Sequence, residues 1–453
     1  MGHLQWLFEL FEDKHECPFM IWGDRPFTYS WLIEQVRQTS QELTTRNLQP
    51  GRVATLRGDY SPGLIAALLA LVDGGAIAVP LSPAAAVHGD EFMEIAQAEF
   101  SLSFDDGPLP RVERLRHEAN HPLLAELSRR GSPGLVLFSS GSTGKSKAAL
   151  HDFDLLLEKF KQPRRGMITL TFLMIDHIGG INTLFYALAN QGTIVVSPNR
   201  DPHVVAATIA RHNVELLPAS PTFLNLLLLS EAYQQHDLSS LQLVTYGTEM
   251  MPHRTLSRLV KVLPHTKLQQ TYGLSEVGIL RSKSEVSDSL WVKVGGEGYE
   301  TKVQNGTLWI KARSAMLGYL NAPSPFDQDG WLDTGDLVEV QGELVRFLGR
   351  RSEVINVGGA KVYPAESEEI LMSIPNVRDV TVSGEPHPIT GNIVVARFNL
   401  DKPELPAAFR RRVREFCRVR METYKIPVRI EIVDRDQFSE RFKKMRQNAL
   451  GPQ

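Results

Sequence analysis

Short apolar runs recur along the first 296 positions, at 53–55, 76–80, 135–139, 167–172, 193–197, 216–218 and 241–246. Each is too short for a helix and mostly apolar, which predicts strands buried on both faces. Between them, stretches at 29–43, 153–161, 181–189, 203–212 and 222–231 carry apolar residues three and four apart and predict helices. The most apolar stretch, 64–81, is interrupted by Asp73-Gly74-Gly75. It therefore predicts a buried helix followed by the strand at 76–80, and no membrane span. Strands alternating with helices imply an α/β fold with mostly parallel sheets.

Past position 296 the period changes to two. Residues 300–310 alternate around Asn305-Gly306, a strong hairpin signal, and a second hairpin is expected around Gln341-Gly342. This part is expected to be antiparallel and barrel-like. From Ser352 onward a helix at 364–373, strands at 379–383 and 392–399, a helix at 406–421 and a strand at 428–433 predict a small α+β domain. The expected organisation is a large N-terminal domain, 1–351, and a small C-terminal domain, 352–453.

Composition narrows the function classes. The 453 residues are 42% hydrophobic and 22% charged, as in an ordinary globular protein. Forty-nine basic against 52 acidic residues leave a net charge of −3, which gives no reason to expect nucleic acid or an anionic membrane as partner. Two cysteines, Cys17 and Cys417, exclude a disulfide scaffold and a cysteine zinc cluster. The first residues are acidic where a signal peptide needs a basic start, and Trp6 breaks the myristoylation pattern. The expectation is a cytoplasmic protein without membrane insertion. The arginines from Arg410 to Arg420 read as the solvated face of a helix.

The most informative segment is Ser139-Ser140-Gly141-Ser142-Thr143-Gly144-Lys145-Ser146-Lys147, which follows the apolar run at 135–139. Glycines let the backbone approach a ligand, hydroxyls and amides donate to anionic oxygens, and lysine neutralises charge. This is a phosphate cradle. It is not a strict Walker A loop, because that motif requires glycine at position 139 and the chain has Ser139.

The segment resembles the phosphate-loop signature of the adenylate-forming superfamily, and the likeness continues in order along nearly the whole chain. Thr271-Tyr272-Gly273-Leu274-Ser275-Glu276 resembles the family's Y-G-x-[ST]-E motif, and Thr334-Gly335-Asp336 its T-G-D motif. Gly349-Arg350-Arg351-Ser352-Glu353, followed by Gly358-Gly359-Ala360-Lys361, resembles its hinge and post-hinge loop. The resemblance implies a mobile C-terminal domain hinged at Ser352. It implies Mg2+ on Glu276, adenine against Tyr272, ribose on Asp336 and Arg350, and the pantetheine path along Gly358, Gly359 and Lys361. These residue types suit those tasks: a carboxylate is a hard-cation ligand, and Arg350 offers a fork of donors. Gly247, Thr248 and Glu249 resemble the segment flanking adenine and the acyl pocket, and His177 resembles the histidine that gates that pocket. Asp176 does not read as an anchor for a substrate amine, because the family's amino-acid-activating branch places its anchoring aspartate in a different local pattern. Ile178, Met250, Met251 and Ile279 are expected to make the pocket apolar.

The C-terminal signature departs from the family. Lys443 falls on the catalytic lysine and Arg446 on the trailing arginine, but Phe442 stands where glycine is usual. Phenylalanine resists a positive φ, so the loop is expected to differ, with Lys444 as the alternative lysine. Residues 441–446 look too basic to be core. Ser146 replaces a usual proline and Ala148 a usual glycine.

The implied reaction joins a small aliphatic or aromatic carboxylic acid to a thiol. ATP with Mg2+ gives an acyl-adenylate, with Lys147 offsetting phosphate charge, and coenzyme A then displaces AMP. Alternatives are the phosphopantetheine of an acyl carrier protein, a free amine, or a binding protein without turnover.

Overall fold

The computed structural model describes residues 2–104, 107–140, 146–284, 286–440 and 442–446. Among these, four sheets form. The first runs 267–270, 243–246, 216–219, 168–170, 193–195, 18–22, 25–28, and is parallel except for its last hairpin. The second runs 318–319, 146–152, 134–140, 77–81, 53–57, 100–103, 111–114, with parallel strands in the middle and antiparallel pairs at both ends.

Helices Pro62–Asp73 and Ile178–Ala189 pack in the core shared by these sheets. Pro62–Asp73 is buried from Pro62 through Val72, as expected for a helix apolar on every side. Its start is defined by Ser61, whose side chain accepts from Leu64 N–H, followed by proline at the first helical position. Asp201-Pro202 and Ser220-Pro221 start two further helices in the same way.

The third sheet is antiparallel, in the order 272–274, 278–284, 292–295, 344–350, 332–341, 307–312, 299–304. Its Asn305-Gly306 turn has φ of 52° and 75°, the two positive values a two-residue hairpin needs. A short 3-10 turn, Arg351–Glu353, leads to the fourth sheet. There 360–362, 355–357, 391–400 and 377–387 pair antiparallel, and 429–432 lies parallel to 391–400. Helices Pro364–Leu371 and Pro406–Arg418 close over it around a separate core that includes Val380, Phe398, Phe409 and Cys417.

The structure differs from the expected elements at 167–172, 153–161 and 18–28, among other places. The run at 167–172 yields only strand Ile168–Leu170, because Phe172 has left the sheet to line a cavity. The helix expected at 153–161 is Phe153–Leu157 followed by a 3-10 turn, Glu158–Phe160. An unexpected hairpin joins Pro18–Trp22 to Arg25–Thr28 through Gly23 and Asp24, with φ of 57° and 60°.

Gly180 holds the start of helix Ile178–Ala189 against the chain before it. A Cβ there would lie 1.9 Å from the Met174 carbonyl oxygen. Gly180→Ala is therefore expected to cost about 1–3 kcal/mol, the usual range for overpacking. Urea unfolding checks it, and an unchanged midpoint would show that the 174–180 backbone yields freely.

Candidate active site

The carboxyl ends of the parallel strands in the first sheet converge on one region, where α/β sheets ordinarily bind ligands. Strand Leu243–Tyr246 ends in Gly247, and strand Lys267–Gln270 ends in Thr271. The Thr271 N–H donates to the Tyr246 carbonyl at 2.7 Å. A Cβ on Gly247 would meet the Thr271 carbonyl at 2.6 Å, so glycine is required there by close approach. Thr248, exposed and β-branched, is held at φ 72°, a left-handed value that costs such a residue energy.

His177 starts helix Ile178–Ala189: its Nδ1 accepts from the Gly179 N–H at 3.1 Å. In the neutral ring that leaves Nε2 as the protonated nitrogen. His177, Thr248, Arg200, Phe172 and Met174 line a small cavity together with Phe442 and Lys443 from the C-terminal segment. Asp176 accepts from Ser82 Oγ at 2.6 Å and is buried, which suits a positioning contact rather than a ligand anchor.

The C-terminal segment corrects two expectations. Phe442 does take a positive φ, 51°, the conformation a glycine would supply. Its ring packs against Phe172 at 5.3 Å, Phe223 at 5.7 Å and Phe438 at 5.4 Å between centroids, and that packing offsets the backbone cost. Nor is the basic segment a solvated one. Lys444 and Arg446 are 13% and 12% exposed. Lys444 Nζ donates to the Val380 carbonyl and pairs with Asp379 at 3.1 Å. Arg446 grips both oxygens of Glu368, at 2.9 and 2.8 Å, and reaches Glu353 at 3.0 Å. Lys443, the neighbour of Lys444, faces the cavity instead. The Lys444 N–H donates to Glu249 Oε2, and the Thr222 N–H donates to Glu249 Oε1, so Glu249 joins the segment to the large sheet. Burial holds the Glu249 carboxyl above its ordinary value.

Around the third sheet, Tyr272 stacks on Phe347 at 4.5 Å, and its hydroxyl donates to Asp336 Oδ2 at 2.6 Å. Arg350 Nε lies 3.3 Å from Asp336 Oδ1. Burial keeps the Asp336 carboxyl above its ordinary value despite Arg350 and Tyr272. Gly273 packs on Ile279, with 2.5 Å between a built Cβ and Ile279 Cδ1. Ser275 and Glu276 follow, half-buried, and Glu276 Oε1 accepts from the Tyr319 hydroxyl at 2.5 Å. Lys147 lies over the Tyr319 ring at 5.1 Å and pairs across the hairpin with Ser139. The structure therefore brings Lys147 and Glu276 to one tyrosine, the lysine over its ring and the carboxylate at its hydroxyl. Gly141, Ser142, Thr143, Gly144 and Lys145 lie outside the described residues, as does the side chain of Ser140.

Other expected residues stand apart. Gly358 and Gly359 form the exposed turn between strands 355–357 and 360–362, and Lys361 is exposed on the second of these; none lines the cavity at Lys443. The expected apolar pocket is not assembled as such. Ile178 is core, Met250 and Met251 line a cleft of about 500 Å³ beside Glu368 and Lys444, and Ile279 lines a different cavity. Sequence reasoning missed Tyr319, Arg200 and the buried His151, whose burial pulls its imidazole down to about 4. No motif surrounds any of them, and only the three-dimensional pairing shows them.

Glu276 fits a divalent cation held jointly with phosphates: it is a half-buried carboxylate, a hard-cation ligand, with a hydroxyl neighbour in Ser275. Among the described residues no group of three or more His, Cys, Asp and Glu side chains could cage a metal alone.

The sequence profile of the AMP-binding enzyme family matches residues 8–320, and that of the AMP-binding enzyme C-terminal domain matches 366–443. The chain is 28% identical to indoleacetate–CoA ligase of Aromatoleum aromaticum over 67% of its own length and 64% of the relative's. It is 25% identical to 2-succinylbenzoate–CoA ligase of Bacillus subtilis, over 95% and 94% of the two chains. The solved anthranilate CoA ligase AuaEII, in complex with anthranoyl-AMP, has the same fold: TM-score 0.81 over 98% and 95% of the chains, at 20% identity.

The two neighbouring lysines should separate on stability. Removing Lys444 leaves Asp379 and part of Glu368 uncompensated, so Lys444→Met is expected to cost about 3–5 kcal/mol. Lys443→Met should cost less than about 1 kcal/mol. Glu368 sits below the ordinary carboxylate range: burial works upward, and Arg446 and Lys444 outweigh it. Its stabilisation is thus present above about pH 4.3 and lost as pH falls through the lowered folded value. Denaturant titrations of both variants at pH 7 and pH 3 check this; equal losses at pH 7 would overturn it.

Proposed function

The chain belongs to the AMP-binding enzyme family, and we infer from that membership and from the site that it is an AMP-forming acid–thiol ligase. It activates a small aliphatic or aromatic carboxylic acid with ATP and passes the acyl group to coenzyme A. The relatives that carry CoA-ligase names support this reading along nearly the whole chain. The observation that carries it is the seating of Lys443 in one cavity with His177 and Thr248, at the carboxyl ends of the parallel strands.

A carboxylate oxygen attacks the α-phosphorus of ATP. The bond from that phosphorus to the bridging oxygen of pyrophosphate breaks, and the acyl-adenylate forms. The thiol sulfur then attacks the acyl carbon, the bond to AMP breaks, and the thiol proton is released. The protein's share is positioning and charge stabilisation. Lys147 meets phosphate charge. Glu276 with Ser275 would hold Mg2+, which would supply charge neutralisation on the phosphates. Tyr272 and Gly273 line the adenine side with Gly247. Asp336 and Arg350 take the ribose, where Asp336 exchanges its Tyr272 contact for hydroxyl donors. Lys443 contacts the oxygens that gain charge in the first displacement, and His177 closes the acyl side.

Gly358, Gly359 and Lys361 serve the second step. They sit on a turn remote from the Lys443 cavity, so one arrangement cannot serve both steps. The reading is therefore of a large domain, 1–351, and a small one, 352–453, that turn about the exposed Ser352 between half-reactions. Contacts that would break are few in kind: Phe442 on its aromatic partners, Lys444 N–H on Glu249, and Arg254 on the Met372 carbonyl. Among the described residues no helix is long and apolar enough to cross a membrane. The free thiols of Cys17 and Cys417 suit a reducing cytoplasm.

Exchange of labelled pyrophosphate into ATP across a panel of acids tests the first step. Acid-dependent exchange is expected, followed by thioester formation with CoA. Exchange with no acid would return the chain to a binding role, and transfer only to a carrier-protein arm or an amine would overturn the acceptor. Lys443→Ala should slow exchange by about 10²–10³, as loss of a transition-state donor does, while thioester formation from supplied acyl-adenylate persists.

Ser352→Pro fixes φ at the proposed hinge. One half-reaction should survive and the other fall. Equal losses measured in both would count against the hinge.

A further inference from the structure

A second cavity, of about 550 Å³, adjoins the adenylate side of the site. Thr271, which packs under Gly247, and Ile279, which packs on Gly273, both line it. Its walls come from helix Ile178–Ala189, from the strands ending at 219, 246 and 270, and from strand Gly278–Ser284. The volume suits a small organic ligand. Part of the wall is apolar, with Tyr186, Pro218 and Leu243.

The charge of the lining is one-sided. Lys159, Arg164, Arg281, Lys283 and Lys293 border the cavity, and among the described residues no aspartate or glutamate does. Arg281 and Lys293 have carboxylates of their own, Glu297 at 4.0 Å and Glu343 at 2.7 Å. Lys159 is different. Its Nζ donates to Asn182 Oδ1 at 2.6 Å and to the Ile279 carbonyl at 2.8 Å, both neutral acceptors. An ammonium carries three donors, so one remains. No carboxylate among the described residues lies within ion-pair distance of it. Burial first, then the charges of Arg164 and Arg281, pull the Lys159 ammonium down to about 7. A cation withdrawn from water without a counter-charge costs free energy, and an arriving anion repays it.

We propose that this cavity takes the acyl portion of an acid that bears a second, distal carboxylate, and that Lys159 pairs with that carboxylate. The substrate class is thus a dicarboxylic acid, aliphatic or aromatic, activated at one end and recognised at the other. Asn182 and the Ile279 carbonyl orient the ammonium, and the basic rim draws the dianion in. The proposal rests on the ligase reading for its reaction but not for its binding.

Two matched pairs test it: octanoate against octanedioate, and 3-phenylpropanoate against 3-(2-carboxyphenyl)propanoate. The diacid of each pair is expected to show the higher kcat/KM with ATP and CoA. Lys159→Met should lower diacid kcat/KM about 100-fold, the scale of losing one partner of a desolvated charge pair, and leave the monoacid nearly unchanged. Lys159→Arg should keep most of the preference. Should Lys159→Met fail to fold by circular dichroism, the rim variant Arg281→Gln with Lys283→Gln is measured, with a smaller loss confined to the diacids. Calorimetric titration of each diacid into the ATP-free protein runs alongside. Diacid binding that depends on Lys159 without any pyrophosphate exchange would sink the ligase reading and keep this one. Equal use of monoacid and diacid, or an equal effect of the substitutions on both, overturns the proposal while the ligase reading stands.

Discussion

The carboxylate of Glu368 sits at the junction on which the site depends. It is buried between helix Pro364–Leu371 and strand Val377–His387, accepts from the Val382 N–H at 2.9 Å, and receives both arms of Arg446. Lys444 lies 3.8 Å away on the same side. In an extended segment neighbouring side chains point to opposite faces. Phe438 bridges Lys444 across this segment as a β-pair, so the alternation holds here. Once Lys444 and Arg446 are drawn inward by Glu368, Lys443 is left on the outer face, toward His177 and Thr248. A buried charge on the helix that covers the small sheet thereby selects which of two adjacent lysines meets the cavity at His177 and Thr248.

Most of the fold was legible because its signals are local. Proline after a capping Ser or Asp announces helices at 62, 202 and 221, and Asn305-Gly306 announces its hairpin through the positive φ that only a few residues accept. The hairpin at Gly23-Asp24 carries the same kind of local signal, set between short apolar stretches. The site was legible only where chemistry and spacing are contiguous, as in Thr271–Glu276 or 334–336. Tyr319 holds Glu276 from 43 residues away, and Glu249 holds Lys444 from 195. Such pairs have no spacing to read.

Phe442 shows the opposite failure, where a sound local rule is outweighed. A non-glycine residue in the left-handed region costs about 1–2 kcal/mol, and the sequence alone argues for a different loop. Three aromatic neighbours, Phe172 just past strand Ile168–Leu170, Phe223 on helix Pro221–Leu229 and Phe438 in the C-terminal segment, supply the compensation. Likewise Lys159 reads as one more charge at the end of a surface helix, yet the chain folds back so that Asn182 and Ile279 enclose it. Burial is what turns a common residue into an informative one.

The aromatic seat of Phe442 also has a thermal consequence. Rings leaving one another for water raise the heat capacity, so any parting of this segment from Phe172 and Phe223 carries a positive heat-capacity change. A glycine in the same place would part almost without one. Any equilibrium between a seated and an unseated segment would therefore follow a curved dependence on temperature. Warming from the cold strengthens the seat before it weakens it, and the pace of any step that needs the segment to leave inherits that curvature.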